Sequence, residues 1–348
     1  MSNDFSLKNI CICAATYLRP NGLRQLLDSI NSLDVESLIN TVQIRVVIVD
    51  NDPKQSALSV VEAFRKNGFR FSLEYIVEPQ RGISRVRNRL LQAAKDFNAD
   101  VIAMIDDDET VDRKWLFSGL KAMQEWNSDV VFGHLIPIFK KQPPRWIEDG
   151  GYYEFPVYEN GSLLKEAYTY NILFKSKLLS HITQFDESLN FVGSEDVLFF
   201  RQAYKQGFKI NFCSLAIVYD HIPEERVNLN WILRRRFRSS LPVDLIINEK
   251  SNKSNLGTKT RLTLQSLFFI ALLLCFAPVI ILRVVPFKVN DFLGKFFGPR
   301  VHLLLRRINN GYRGFLWFFV SRVGVISGVC GSRYKEYANP TVELKNNL

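Results

Sequence analysis

The chain has 348 residues, 47% hydrophobic and 23% charged, which is room for one large domain or two small ones and excludes disorder as the main state. Its net charge of +10 is unevenly spread: up to Glu225 there are 25 Lys and Arg against 30 Asp and Glu, and beyond it 20 against 5. The basic excess belongs to the last third, behind a mildly acidic body.

In chain order, residues 10–15 are a short apolar run and predict a buried strand, and 21–33 carry apolar side chains at helical spacing. Strand, helix, strand, helix and strand follow at 44–49, 57–67, 72–77, 84–97 and 101–105, then a helix at 114–126 and a strand at 129–134. This alternation predicts an α/β domain with a mainly parallel sheet and helices on both faces. Ligands in such sheets sit beyond the carboxyl ends of the strands. Polar residues stand at three of those ends: Thr16-Tyr17, Asp50-Asn51-Asp52 and Asp106-Asp107-Asp108. Residues 140–161, rich in Pro, Gly and aromatics, read as a long loop. A strand at 168–174, a helix at 195–206 and a strand at 210–218 complete the body.

Residues 262–282 (LTLQSLFFIALLLCFAPVIIL) are 21 positions without a charge, enough for about 31 Å of helix at about 1.5 Å per residue. Both flanks are basic, so a single oriented span is not the only reading. The segment either bends at Pro278 and returns, or a second crossing at 314–331, with Arg322 inside it, brings the chain back. The stretch 296–308 suits an interfacial position among anionic headgroups. Five scattered cysteines without a Cys-x-x-Cys pair support neither a zinc site nor a disulfide framework, and read as small core residues in a reducing compartment. The first residues lack a signal-peptide pattern, so the body is expected in the cytoplasm.

Three adjacent carboxylates after a buried strand repel one another unless a cation is near, and a hard divalent ion with oxygen ligands relieves this. On an extended chain Asp106 and Asp108 share a side while Asp107 points away. Gly193-Ser194-Glu195-Asp196 opens a helix with an acidic pair, either as a cap led by Ser194 or as chemistry. Gly82-Ile83-Ser84-Arg85-Val86-Arg87-Asn88 opens another and reads as an anion site or a surface cap. After the last strand comes Tyr219-Asp220-His221, then Glu224-Glu225-Arg226 and Trp231 with Arg234, Arg235, Arg236 and Arg238. No P-loop and no G-x-G-x-x-G is present.

Together the motifs A-T-Y-x-R-P, V-D-N, G-I-S-x-x-R-N, D-D-D-E, G-S-E-D-x-x-F-F, H-x-P-E-E-R and W-x-x-R-R-x-x-R resemble the family 2 inverting glycosyltransferases of GT-A fold over about residues 8–240. The likeness is greatest to bacterial glucosyltransferases of succinoglycan-type exopolysaccharide assembly. It implies a GT-A catalytic domain at 1–240, a Rossmann-like mixed, mainly parallel sheet flanked by helices. A basic membrane-associated helical region at 241–348 follows. It implies a nucleotide diphosphate sugar donor, expected to be a UDP-sugar, a Mg²⁺ or Mn²⁺ cofactor and a single displacement. The acceptor is expected to be a glycan or lipid-linked oligosaccharide at the cytoplasmic face of the bacterial inner membrane. By the resemblance, Thr16, Tyr17, Arg19, Asp50, Arg87, Asn88 and Arg226 attend the nucleotide and diphosphate. Asp106, Asp108 and His221 attend the metal, with Asp106 also on the ribose. Asp196 is the base supported by Glu195, and Trp231 and Arg235 lie by the acceptor. Many relatives have a second Gly where this chain has Ser194, and Thr-Gly-Asn where it has Thr169-Tyr170-Asn171. A sugar-phosphate nucleotidyltransferase shares the strand–carboxylate logic but wants a Gly-rich loop with a Lys near the N-terminus. A membrane-attached nucleic-acid-binding protein would use the basic tail, yet the acidic body and interleaved apolar runs argue against it.

Overall fold

The computed structural model describes residues 8–36, 42–191, 193–240, 256–275, 307 and 312–330. They fall into two compact units, one from the described parts of 1–138 and 159–221, the other from those of 139–158 and 222–336.

In the first unit the expected apolar runs form β1 (Asn9–Thr16), β2 (Gln43–Asp50), β3 (Ser72–Val77) and β4 (Val101–Asp106), parallel and ordered β3-β2-β1-β4. Consecutive residues Val46, Val47, Ile48 and Val49 are all fully buried, so both faces of the strand are covered. The covering helices α1 (Pro20–Asn31), α2 (Leu58–Lys66), α3 (Ile83–Asp96) and α4 (Trp115–Glu125) follow the strands. Helix α1 has Pro at its start and buries Leu23, Leu26, Leu27 and Ile30, the face its spacing predicts.

The other half of the sheet introduces antiparallel pairs. It comprises β5 (Glu109–Val111), β6 (Val130–Phe139), β7 (Leu163–Leu164), β8 (Asn171–Lys175) and β9 (Ile210–Ile222). The order continues β4-β8-β6-β9-β5, with β7 also on β9. The strand expected from 168 begins at Asn171, where the side chain is wholly buried. Its amide donates to the carbonyls of His134 (3.0 Å) and Ala216 (2.9 Å) and accepts from Trp115 Nε1 (2.8 Å), fastening β8 to its surroundings. The loop expected at 140–161 holds a short helix, α5 (Arg145–Gly150). Helix α6 (Glu195–Lys205) completes the first unit.

Register brings the polar strand ends level: Thr16 pairs with Asp50, Ala15 with Asp106, and Asp50 with Val77.

The second unit contains α5, α7 (Leu229–Ser239), α8 (Leu256–Cys275) and α9 (Tyr312–Val329) around Ile147, Tyr153, Ile222, Ile232, Leu273, Trp317 and Phe318. Among the described residues α8 is the one helix long and apolar enough to cross a membrane, with mean hydropathy 1.2, and it exposes Leu264, Leu267, Phe268 and Leu274. The expected segment 262–282 is thus helical as far as Cys275; its remainder, like 296–308 apart from Arg307, lies outside the described residues. Cys11, Cys13 and Cys213 are buried as expected, but Cys275 and Cys330 are exposed, correcting their reading as core residues.

Candidate active site

Strand β4 stops at Asp106, so the alternation expected along D-D-D fails one residue later: Asp107 and Asp108 form a turn. Asp107 therefore does not point away. Its carboxylate accepts from Thr16 Oγ1 (2.8 Å) and Arg19 Nη1 (2.9 Å), and the same Arg19 nitrogen reaches Asp108 at 3.0 Å. The turn presses on α1 at Gly22, where a Cβ would stand 2.5 Å from the Asp107 carbonyl oxygen. That glycine sits in the first turn of α1, and the close approach is its reason.

Asp106 is recessed but open, with 42% of its side chain accessible. The surrounding protein, more than any neighbouring charge, pushes its carboxyl up to about 7; Arg87 opposes the rise while Asp108, Asp107 and Asp196 add to it. Burial likewise raises Asp107, against the pull of Arg19. Glu109, buried opposite Asp220 on β9, is raised well above the usual carboxylate range by burial first and by Asp106 and Asp220 next. Its Oε2 accepts from the Asp106 backbone N–H at 3.1 Å. Like charges paired across strands are unfavourable, and a cation beside this carboxylate group would offset that cost.

Arg87 joins the two acidic motifs. Only 8% exposed, it is ion-paired with Glu195 (4% exposed), and its Nη2 lies 3.8 Å from Asp106 Oδ1. Asp196, next to Glu195, is half-buried, and its Oδ2 receives the Thr169 backbone N–H at 3.5 Å. The capping reading of the acidic pair is not what the structure uses. Ser194 makes no side-chain cap, and Gly193 and Ser194 are both left-handed, with φ of 84° and 70°. Two consecutive left-handed residues make the sharp entry that presents Glu195 and Asp196.

The other expected site residues have structural partners. Asp50 is fully buried, and its oxygens accept from the N–H groups of Asp52 (2.9 Å) and Ala57 (2.9 Å) and from Tyr75 Oη (2.8 Å). Asn51 bridges the Glu78 and Gln80 carbonyls and the Gly82 N–H. Asn88 clasps the backbone of Phe185 through both ends of its amide, at 3.0 and 2.7 Å. The start of α3 is not an open anion cradle either. Asn190 accepts from the Ile83 N–H through its carbonyl (3.5 Å) and from the Arg85 N–H through its side chain (3.1 Å), and Arg85 pairs with Glu187 at 2.9 Å. Of that motif Arg87 alone reaches the carboxylates of Asp106 and Glu195.

Tyr17 lies under Arg81, whose guanidinium carbon is 3.6 Å from the ring centre. His221 sits on β9 with its backbone N–H on the Asp108 carbonyl (3.2 Å) and Nε2 at 2.8 Å from Thr110 Oγ1. Burial lowers its pKa against the pull of Asp108, favouring the neutral ring that a metal ligand requires. Arg226 belongs to the second unit, where its carbonyl accepts from Tyr153 Oη and its guanidinium lies over Trp231 at 5.6 Å. Arg235 covers the same ring at 5.2 Å, and Tyr153 stacks on it.

Among the described residues no three His, Cys, Asp or Glu side chains form a ready metal cage. The donor set still fits a hard divalent ion: Asp106 and Asp108 supply oxygen, burial and neighbouring carboxylates raise Asp106 in a way a cation would offset, and such ions complete their shell with substrate phosphates. Residues missed in the sequence are Gly22, Arg81 and Asn190, none of which carried a signal; Glu109 stood in the D-D-D-E motif without a role of its own.

The family model for glycosyl transferase family 2 matches residues 11–183. The succinoglycan biosynthesis protein ExoM of Rhizobium meliloti (strain 1021) is 31% identical over 254 residues, 72% of this chain and 79% of that one. Among solved structures, S. aureus TarS 1–349 in complex with UDP-GlcNAc superposes with TM-score 0.50 at 18% identity, over 94% of this chain and 93% of that one. The match spans 54% of a longer TarS chain. The mannosyltransferase PcManGT from Pyrobaculum calidifontis, in complex with GDP-Man and Mn²⁺, has TM-score 0.50 at 17% identity, over 69% and 64%. These likenesses support the GT-A-like fold. Matched to ExoM over most of that protein's length, the chain belongs to glycosyl transferase family 2 and is an inverting glycosyltransferase.

Proposed function

We propose that the chain transfers a hexose from a nucleotide diphosphate sugar, a UDP-sugar, to a membrane-associated glycan or lipid-linked oligosaccharide in cell-surface polysaccharide synthesis. The observation that carries the reading is Arg87, which couples Glu195, beside the candidate base, to Asp106 among the donor-side carboxylates. The Asp196 carboxylate takes the proton of an acceptor hydroxyl. The acceptor oxygen bonds to the anomeric carbon from the face opposite the leaving group. The bond from that carbon to the diphosphate breaks, and its electron pair leaves with the nucleotide. Glu195, ion-paired with Arg87, adjoins Asp196 at the helix entry, where the Thr169 and Val197 N–H groups donate to the Asp196 carboxylate. Thr16 and Arg19 fix the Asp107–Asp108 turn, and Tyr17 with Arg81 forms a planar surface suited to a base.

Asp106 and Asp108, with His221 beside them, would hold Mg²⁺ or Mn²⁺. When bound, the cation offsets negative charge on the diphosphate oxygens. The bound UDP-GlcNAc of TarS and the GDP-Man and Mn²⁺ of PcManGT are compatible with this donor chemistry, and the relation to ExoM supports an acceptor in polysaccharide assembly. The apolar α8 supports association with the membrane, and the proposal puts the chain at its cytoplasmic face. The test is a panel of UDP-, GDP- and dTDP-sugars offered to the purified full chain. One nucleotide sugar should be bound and slowly hydrolysed with Mg²⁺ or Mn²⁺ and not with EDTA. Binding of none, or hydrolysis indifferent to EDTA, overturns the reading.

A further inference from the structure

Helices α7 and α9 of the second unit approach closely at Gly324, where a Cβ would stand 2.6 Å from the Phe237 carbonyl oxygen. The approach gathers arginines. Arg236 donates through Nη2 to the buried Ser321 hydroxyl at 2.8 Å, and Arg322 reaches the same hydroxyl at 3.4 Å. Arg236 and Arg307 both lie over the ring of Trp317, at 4.0 and 4.7 Å. Neither Arg236 nor Arg322 has a carboxylate at ion-pair distance among the described residues, and the Nε of each is buried with no hydrogen-bond acceptor. Burial, followed by repulsion from Arg307 and Arg322, pushes the Arg236 guanidinium down to about 9. Buried guanidinium groups are ordinarily paired, and their planar forks match phosphate oxygens.

The geometry points to a phosphate-binding site built from Arg236 and Arg322 around Ser321, taking a phosphomonoester or diphosphate group, with Arg307, whose Nη2 donates to the Gly151 and Glu154 carbonyls at 2.9 and 3.2 Å, at its border. It lies wholly within the second unit and draws on none of the carboxylates of the first. Its neighbour α8, with Leu264, Leu267, Phe268 and Leu274 exposed and Phe269 under Arg322, is suited to the hydrocarbon of a phosphate-bearing lipid.

The test uses the full chain and the double variant R236Q/R322Q. R234Q/R261Q, which removes the same formal charge from exposed positions, is the control. Binding is measured to phosphatidylcholine vesicles with and without phosphatidic acid, and separately to inorganic pyrophosphate in EDTA by thermal shift. R236Q/R322Q should lose about tenfold or more in affinity for phosphatidic acid vesicles, and the control about twofold at most. A pyrophosphate response that R236Q/R322Q alone loses assigns the site to free anions as well; a loss confined to vesicles assigns it to lipid. Equal behaviour of the double variant and the control with both probes overturns the site. If the double variant does not fold, phenylglyoxal modification of the wild-type chain, mapped by mass spectrometry, decides. Protection of Arg236 and Arg322 by either probe supports the site, and unchanged labelling overturns it.

Discussion

Replacing Arg87 by methionine keeps most of the side-chain volume and removes the guanidinium that joins the two acidic motifs. Arg87 and Glu195 are 8% and 4% exposed, so the loss strands Glu195 as a buried carboxylate without its ion-pair partner. Removing one member of a buried pair costs about 3–5 kcal/mol. The cost falls if the stranded charge is removed too: in R87M/E195Q the glutamine is neutral, and the double variant should recover about 1–3 kcal/mol relative to the sum of the single effects. A second effect follows at Asp106, whose carboxyl loses the cation opposing its upward shift and rises further above 7. The assay is urea unfolding followed by tryptophan fluorescence for wild type, both single variants and the double variant, in metal-free buffer at neutral pH. An R87M cost below about 1 kcal/mol, or strict additivity in the cycle, refutes the bridging role.

Three other perturbations test separate links. Ser194 is strained at φ 70°, so S194G should stabilise by about 0.5–1 kcal/mol in thermal melts; a lower Tm refutes the strain. G22A inserts a Cβ 2.5 Å from the Asp107 carbonyl, so it should destabilise by about 1–3 kcal/mol despite alanine's better helix propensity, and unchanged or raised stability refutes the close approach. Asp106, raised to about 7 from an ordinary value near 4, binds more protons folded than unfolded, so its contribution to stability is fullest below about pH 4 and is lost as pH rises through 7. With 42% of the side chain accessible, solvent screening reduces the effect to about 1 kcal/mol. Metal-free D106N should therefore melt above wild type at pH 8 and level with it at pH 4; no difference at pH 8 refutes the shift.

The parallel half of the fold was legible because strands buried on both faces are continuous apolar runs, as at Val46 to Val49, and the intervening helices carry one apolar stripe. The other half was not. β5 and β7 have three and two residues, too few for any period, and exist through pairing with β9. At the candidate site, Asp106, Arg87, Glu195 and Asp196 stand out in the sequence because they are charged groups beside buried runs. Their geometry was hidden, since strand alternation says nothing once β4 ends in a turn. Asp50 and Asn88 show the converse: a polar residue at a strand end or helix start can be taken up in holding loops, a distinction that depends on partners 7 to 97 positions away.

The proposed mechanism turns on Asp196 as the base of a single displacement, next to Glu195 at the start of α6. The direct measurement is D196N in the full chain, with donor affinity and transfer to acceptor assayed in the same preparation. Transfer should fall by about a thousandfold or more, in line with general-base catalysis, while nucleotide-sugar affinity stays within about twofold. Retained transfer, or loss of donor binding together with transfer, contradicts the assignment of Asp196 as the base.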